Sequence, residues 1–140
     1  MERALPRTVI TLDTSGILAL LDGKDPEHGT AVGALDADPG PYLVPAETLG
    51  EVGYFVESQF GTPVLDAFLG DLAVGQFTLD CSIERLPRVR RLVNRYDDLP
   101  LGLVDSAVIA CAEENGGRVL TLDRRHFGVV AREGSILLLP

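Results

Sequence analysis

The sequence predicts an α/β fold, a parallel sheet with helices on both faces, and three observations carry that expectation. Short β-rich apolar runs alternate along the chain with longer segments of helical periodicity. Each candidate strand is a near-continuous apolar run, as a strand covered on both faces must be. No Pro/Gly-rich linker separates two segments each large enough to hold a core, so residues 1–140 are expected to form a single domain.

The elements follow in order. Residues 8–12 form a β-rich apolar run that ends at Asp13 and reads as a buried strand. Ser15 or Thr14 can cap a helix running to Leu21, which Asp22-Gly23 stops. Residues 26–37 suggest a second helix, with Pro26 near its first turn. After the loop at 38–41, residues 42–44 read as a strand. From Ala46 onward, Leu49, Val52, Val56 and Phe60 recur at helical spacing, with Gly61 beyond the end. A helix is expected over 63–73, a strand over 77–79, and an arginine-bearing helix over 83–96. The loop at 98–102 leads to a helix at 104–114 that Gly116-Gly117 ends. Strands are expected over 118–122 and 136–139. The chain shows neither an internal repeat nor a low-complexity stretch.

Composition narrows the functional classes. Hydrophobic residues make up 46% and charged residues 24% of the chain, ordinary values that argue against disorder. There is no apolar run of about 18 residues and no signal-peptide core after the first residues, which predicts a cytoplasmic protein. Cys81 and Cys111 are too few and too isolated for a disulfide framework, and are expected as reduced core thiols. The net charge is −9, and residues 1–70 hold eleven acids against three bases. Such a chain is a poor non-specific nucleic-acid binder, because phosphate contacts need a basic face. Arg85, Arg88, Arg90, Arg91 and Arg95 nevertheless crowd one segment, either as a solvated helix face or as a local dock for phosphate or carboxylate. Neither a phosphate-binding P-loop nor the dinucleotide glycine fingerprint is present.

Ligands of open parallel sheets bind beyond the carboxyl ends of the strands, which directs attention to four acids. Asp13 follows the first strand and Asp123 follows the run ending at Leu122. Asp105 opens the helix at 104–114, and Glu51 lies one turn inside the helix that starts at Ala46. Singly, each has a structural explanation: Asp13 and Asp105 as caps, Asp123 as a turn residue, Glu51 as a surface acid. Together they are harder to explain, because converging carboxylates repel one another. A hard divalent cation supplies a reason, since Mg²⁺ and Mn²⁺ prefer oxygen ligands. Such an ion lowers the pKa of a bound water and neutralises charge on a phosphoryl oxygen; four acids suit one ion or two. Neither His28 nor His126 has a serine or cysteine plausibly paired with it, and His126 reads as structural or phosphate-facing.

Four segments resemble the PIN-domain ribonucleases, in particular the VapC-type toxins of bacterial toxin–antitoxin pairs. They are Leu12-Asp13-Thr14-Ser15, residues 45–52 (PAETLGEV), residues 99–107 (LPLGLVDSA) and residues 121–127 (TLDRRHF), in the family's order. The resemblance implies a PIN-like three-layer fold and Mg²⁺- or Mn²⁺-dependent endoribonuclease activity, with catalytic and metal-site roles for Asp13, Glu51, Asp105 and Asp123. It also implies orienting roles for the Thr121 and Thr14 hydroxyls, a homodimer, and a cognate antitoxin that blocks the active site. Glu47 and Glu51, four apart, are expected to stack on one helix face. Glu51 is favoured because residues 50–54 (GEVGY) better resemble the family's acidic motif.

Two other readings compete. One is a catalytically silent PIN-like binding module. The other is phosphotransfer through an aspartyl phosphate at Asp13, against which stand Ser15 where a second Asp is needed and a lone lysine, Lys24, early in the chain.

Overall fold

The computed structural model describes residues 8–140. Five strands, β1 (Ile10–Leu12), β2 (Tyr42–Pro45), β3 (Thr78–Asp80), β4 (Arg118–Leu120) and β5 (Leu137–Leu139), form one sheet. All neighbours are parallel and the order is β3-β2-β1-β4-β5. The helices are α1 (Thr14–Leu21), α2 (His28–Asp36), α3 (Leu49–Phe60), α4 (Thr62–Ala73), α5 (Leu86–Arg95), α6 (Leu103–Glu114) and α7 (Arg124–Arg132). None is long and apolar enough to cross a membrane.

Strand side chains alternate between faces, and the two faces have different covers. Ile10, Leu12, Val44 and Leu120 pack under Ile17 of α1, Ala31 and Leu35 of α2, Val52 and Val56 of α3, and Phe68 of α4. On the other face Val119 packs with Val89 and Leu92 of α5, Ala107, Val108, Ile109, Ala110 and Ala112 of α6, and Phe127 and Val130 of α7. These are the three layers the sequence predicts. At fully buried positions each aliphatic side chain contributes on the order of 1.5–3 kcal/mol, so both covers are needed.

The order of the strands locates the working edge. Chain order runs outward from β1 through β2 and β3 on one side and through β4 and β5 on the other, so a crevice opens past the carboxyl ends of β1 and β4. Gly16 lets α1 start close above that edge. A Cβ there would lie 2.5 Å from the carbonyl oxygen of Leu120, which any other residue would force apart.

Several boundaries differ from expectation. The segment from Ala46 begins with a 3-10 turn, Ala46–Thr48, before α3, and a second such turn, Ile83–Arg85, precedes α5. The strand expected over 118–122 ends at Leu120, because Thr121 turns its hydroxyl to Asp13. Helix α7 falls where no element is expected; only Phe127 and Val130 of it are fully buried, too short a stripe to register among arginines and Gly128. Cys111 is buried as expected, but Cys81 is exposed, since it follows the edge strand β3, whose Thr78 and Leu79 also face solvent.

Candidate active site

Asp13 caps the start of α1 in extended conformation, and its backbone N–H donates to Leu120 O across the β1–β4 junction at 3.0 Å. The side chain is only 3% exposed as a residue. Ser15 Oγ and Thr121 Oγ1 donate to its Oδ2 at 2.9 and 2.8 Å. Those hydroxyls are themselves braced: the Leu122 N–H donates to Ser15 Oγ at 2.9 Å and the Asp123 N–H to Thr121 Oγ1 at 3.0 Å. Burial raises the Asp13 pKa, the hydroxyl and amide donors pull it back in part, and the charge of Asp123 raises it again.

Asp123 follows β4 as the N-cap of α7. Its Oδ1 accepts from the His126 N–H at 3.1 Å, and its Oδ2 lies 2.8 Å from His126 Nδ1. Asp105 stands in the first turn of α6, where the helix dipole favours a carboxylate. Even so its pKa rises to about 6, first through burial and then through the negative charges of Asp13 and Asp123. His126 acts in the opposite sense on Asp105, and Glu51 adds a smaller repulsion.

Ligand-capable atoms of Asp105, Asp123 and His126 all lie within 4.8 Å of one another. Asp13 is electrostatically coupled to both acids from its buried seat. Glu51 is exposed at the rim, where it shares a cleft of about 320 Å³ with Pro100, Leu103 and Asp105. Among the described residues no lysine or arginine pairs with Asp13, Glu51, Asp105 or Asp123. The crevice thus gathers negative charge against only His126, beside Asp123, as a potential cation among the described residues, and its oxygen donors fit a hard divalent cation.

Glu47 parts company with Glu51. It sits in the 3-10 turn before α3, so the expected stacking on one helix face does not form, and its Oε2 lies 3.9 Å from Arg85 Nε. Arg85 is fully buried; it donates to Asp80 Oδ1 and, through Nε, to Ser82 O at 3.3 Å. Burial alone would lower its pKa, but contacts with Cys111 and Asp80 outweigh that and raise it. The arginines of 83–96 therefore divide. Arg88 makes a two-pronged bond to Glu113 at 2.8 and 2.9 Å, Arg95 reaches Glu133 at 2.6 Å, and Arg90 and Arg91 are exposed along an open groove with Pro87 and Asn94.

Of the two threonines expected to orient the cluster, Thr121 does so, whereas Thr14 Oγ1 is buried without a partner. Its place is taken by Ser15, which the sequence reading considered only as a cap. His126 joins the cluster through its place in α7, a helix the sequence does not announce.

Comparison with known proteins agrees with this geometry. A family model described as the PIN domain matches residues 10–133. Ribonuclease VapC26 of Mycobacterium tuberculosis is 31% identical over 121 residues, spanning 85% of this chain and 90% of that protein. Among solved structures, M. tuberculosis VapC20, a sarcin-ricin loop cleaving toxin, superimposes with a TM-score of 0.75 at 19% identity, covering 86% of this chain and 94% of its own. VapBC2 of Rickettsia felis, bound to a promoter DNA fragment, gives 0.68 at 14% identity over 93% and 96% of the two chains. FitAcB of Neisseria gonorrhoeae gives 0.62 at 17% identity, over 94% and 97%. The family model spans both edge acids and the helices between them, and with it the fold and the crevice at the β1–β4 junction establish that this chain belongs to the PIN-domain family.

Proposed function

We propose that this chain is a metal-dependent endoribonuclease that hydrolyses RNA phosphodiester bonds, and that it acts as a toxin restrained by a cognate antitoxin. One observation supports the reading above all: the buried Asp13 after β1, the half-buried Asp105 of α6 and the half-buried Asp123 after β4 act on one another electrostatically, and among the described residues no lysine or arginine pairs with them. Asp13, Asp105 and Asp123 would hold Mg²⁺ or Mn²⁺, with Glu51 facing them from the rim. When bound, a divalent ion supplies charge neutralisation at the phosphoryl oxygens and lowers the pKa of an attacking water. The protein's part is to hold the acids still. Ser15 and Thr121 lock Asp13 in one rotamer, and the first turn of α6 aims Asp105 across the junction. Arg90 and Arg91, and Arg124 and Arg125 at the start of α7, are exposed cations able to meet RNA phosphates on an acidic body.

The 31% identity to a protein named as a ribonuclease supports RNA as the substrate. The likeness to VapBC2 and FitAcB supports an antitoxin partner, and a cytoplasmic setting and a homodimer complete the reading. An Arg-bearing antitoxin segment would complement the acidic crevice. The test is cleavage of purified cellular RNA in Mg²⁺ by the wild-type chain and by Asp105→Asn. The variant should fold and fail to cut. Equal cleavage by both would refute the assignment.

A further inference from the structure

We propose that the lip of the crevice seats an unpaired nucleobase of the substrate RNA, stacked on Tyr54 and bounded by Leu103, so that single-stranded RNA is taken in preference to duplex. The inference rests on the ribonuclease reading above and deepens it by naming the form of RNA the site accepts. Leu103, 60% exposed at the start of α6, lines the cleft that also holds Glu51 and Asp105. Tyr54, 72% exposed, lies three residues after Glu51 on α3, so the two share one face of that helix. A long side chain on a helix leans back over the turn before its own Cα, which for Tyr54 is the turn that carries Glu51. Half-buried Phe55 steadies the ring in an edge-to-face contact, centroids 5.8 Å apart and planes at 75°. The three tyrosines differ in what occupies them. Tyr42 donates to Leu35 O at 2.8 Å and Tyr96 is buried with Arg95 over its ring, whereas the Tyr54 hydroxyl has no hydrogen-bond partner among the described residues.

Charge decides which part of an RNA chain fits this lip. Glu51 and Asp105 are the charged groups of the cleft, and among the described residues no lysine or arginine pairs with either. A phosphate resting between Glu51 and Leu103 would be repelled, whereas an uncharged base would not. Phosphates have a better place nearby, since Arg124 and Arg125 are exposed at the start of α7, directly after Asp123. The cleft, about 320 Å³, is at the small end of ligand pockets, a size for one base rather than a stem. Every base has a face that stacks on an aromatic ring, and Leu103 adds apolar surface at the same lip. Bases in an A-form helix are stacked on one another, so only an unpaired one can be splayed onto Tyr54.

The test uses the full chain and a non-cleavable 2′-O-methyl RNA of about twelve nucleotides, alone and annealed to its complement. Tyr54→Ala should weaken binding of the single strand about ten-fold and binding of the duplex less than about two-fold. Tyr54→Trp should keep the wild-type affinity. Its emission can be read by itself, because the chain has no other tryptophan, and should be quenched by the single strand and not by the duplex. Unchanged single-strand binding by Tyr54→Ala, or a tryptophan that the single strand leaves unquenched, would overturn the base seat and leave the carboxylate centre standing. A wild-type dimer that comes apart with Tyr54→Ala, while the single strand binds as before, would place a second copy of the chain on the ring and overturn it equally. A wild type that binds neither form and cuts no cellular RNA would overturn the ribonuclease reading itself.

Discussion

Two charged clusters lie at the carboxyl edge of the same sheet and solve the problem of buried charge in opposite ways. Around Arg85, the half-buried acids Asp80 and Glu47 flank a fully buried guanidinium, so the fold itself supplies their cation. In the crevice, Asp13, Asp105 and Asp123 act on one another with no arginine or lysine among them, and burial first, then mutual repulsion, raises the pKa values of Asp13 and Asp105. The difference teaches how to read an acidic cluster. Where the fold supplies the counter-charge the cluster is a joint, here tying β3, α5 and the turn before α3 together. Where it withholds the counter-charge, the cluster is open to a cation from outside.

Substitutions in the two clusters should therefore behave differently. The largest effect is expected on catalysis: Asp105→Asn should lower RNA cleavage by about a hundred-fold or more at fixed Mg²⁺, while Arg85→Met, where folded, leaves Mn²⁺ affinity unchanged. Urea unfolding should show the converse. Arg85→Met leaves two half-buried carboxylates without their cation and should cost about 2–3 kcal/mol, much of it recovered when Asp80→Asn is added.

The pH dependence of stability sharpens the contrast. In the metal-free protein Asp105 titrates near 6 rather than at its ordinary 3.8. A raised carboxyl pKa means that the native state binds the proton more tightly than the unfolded chain. Its stabilising contribution is thus complete below about pH 4 and is lost as pH rises through 6. Because water reaches the half-buried Asp105 and screens the repulsion, the corresponding difference is on the order of 1–2 kcal/mol. Asp105→Asn should accordingly raise metal-free stability at pH 8, a sign opposite to that of Arg85→Met. A fall in stability with Asp105→Asn would contradict the repulsion.

The smallest effect concerns the exposed arginines. Replacing Arg90 and Arg91 with Ala should weaken binding of a non-cleavable RNA only a few-fold at low salt, flatten its salt dependence by about one to two in log–log slope, and leave stability within about 0.5 kcal/mol.

How much of this was legible in the sequence differs between the clusters as well. The strands and most helices announce themselves, since Ile10, Leu12, Val119 and Leu120 sit in apolar runs, and Val52 and Val56 keep helical spacing. Asp13 and Asp123 are placed by those strands, because each acid follows the end of a recognisable run. The joint around Arg85 is not legible. Five arginines in eleven residues look alike until tertiary packing buries one, pairs Arg88 and Arg95 across to Glu113 and Glu133, and leaves two outside. The roles of Glu47 and Glu51 separate for a similar reason, since a 3-10 turn in place of a helical one changes where Glu47 points. Helix α7 escaped notice because a helix anchored by two residues leaves little periodicity to find.

The central claim is that the crevice is a cluster of carboxylates left for a divalent cation to neutralise. Its most direct test is the melting temperature of the full chain at pH 8, in chelator and in Mn²⁺ at about a hundred times its Kd. The wild-type melting temperature should rise by roughly 8 °C with the ion and that of Asp105→Asn should not. A wild-type protein that melts at the same temperature with and without the ion, or a variant that gains as much, would contradict it.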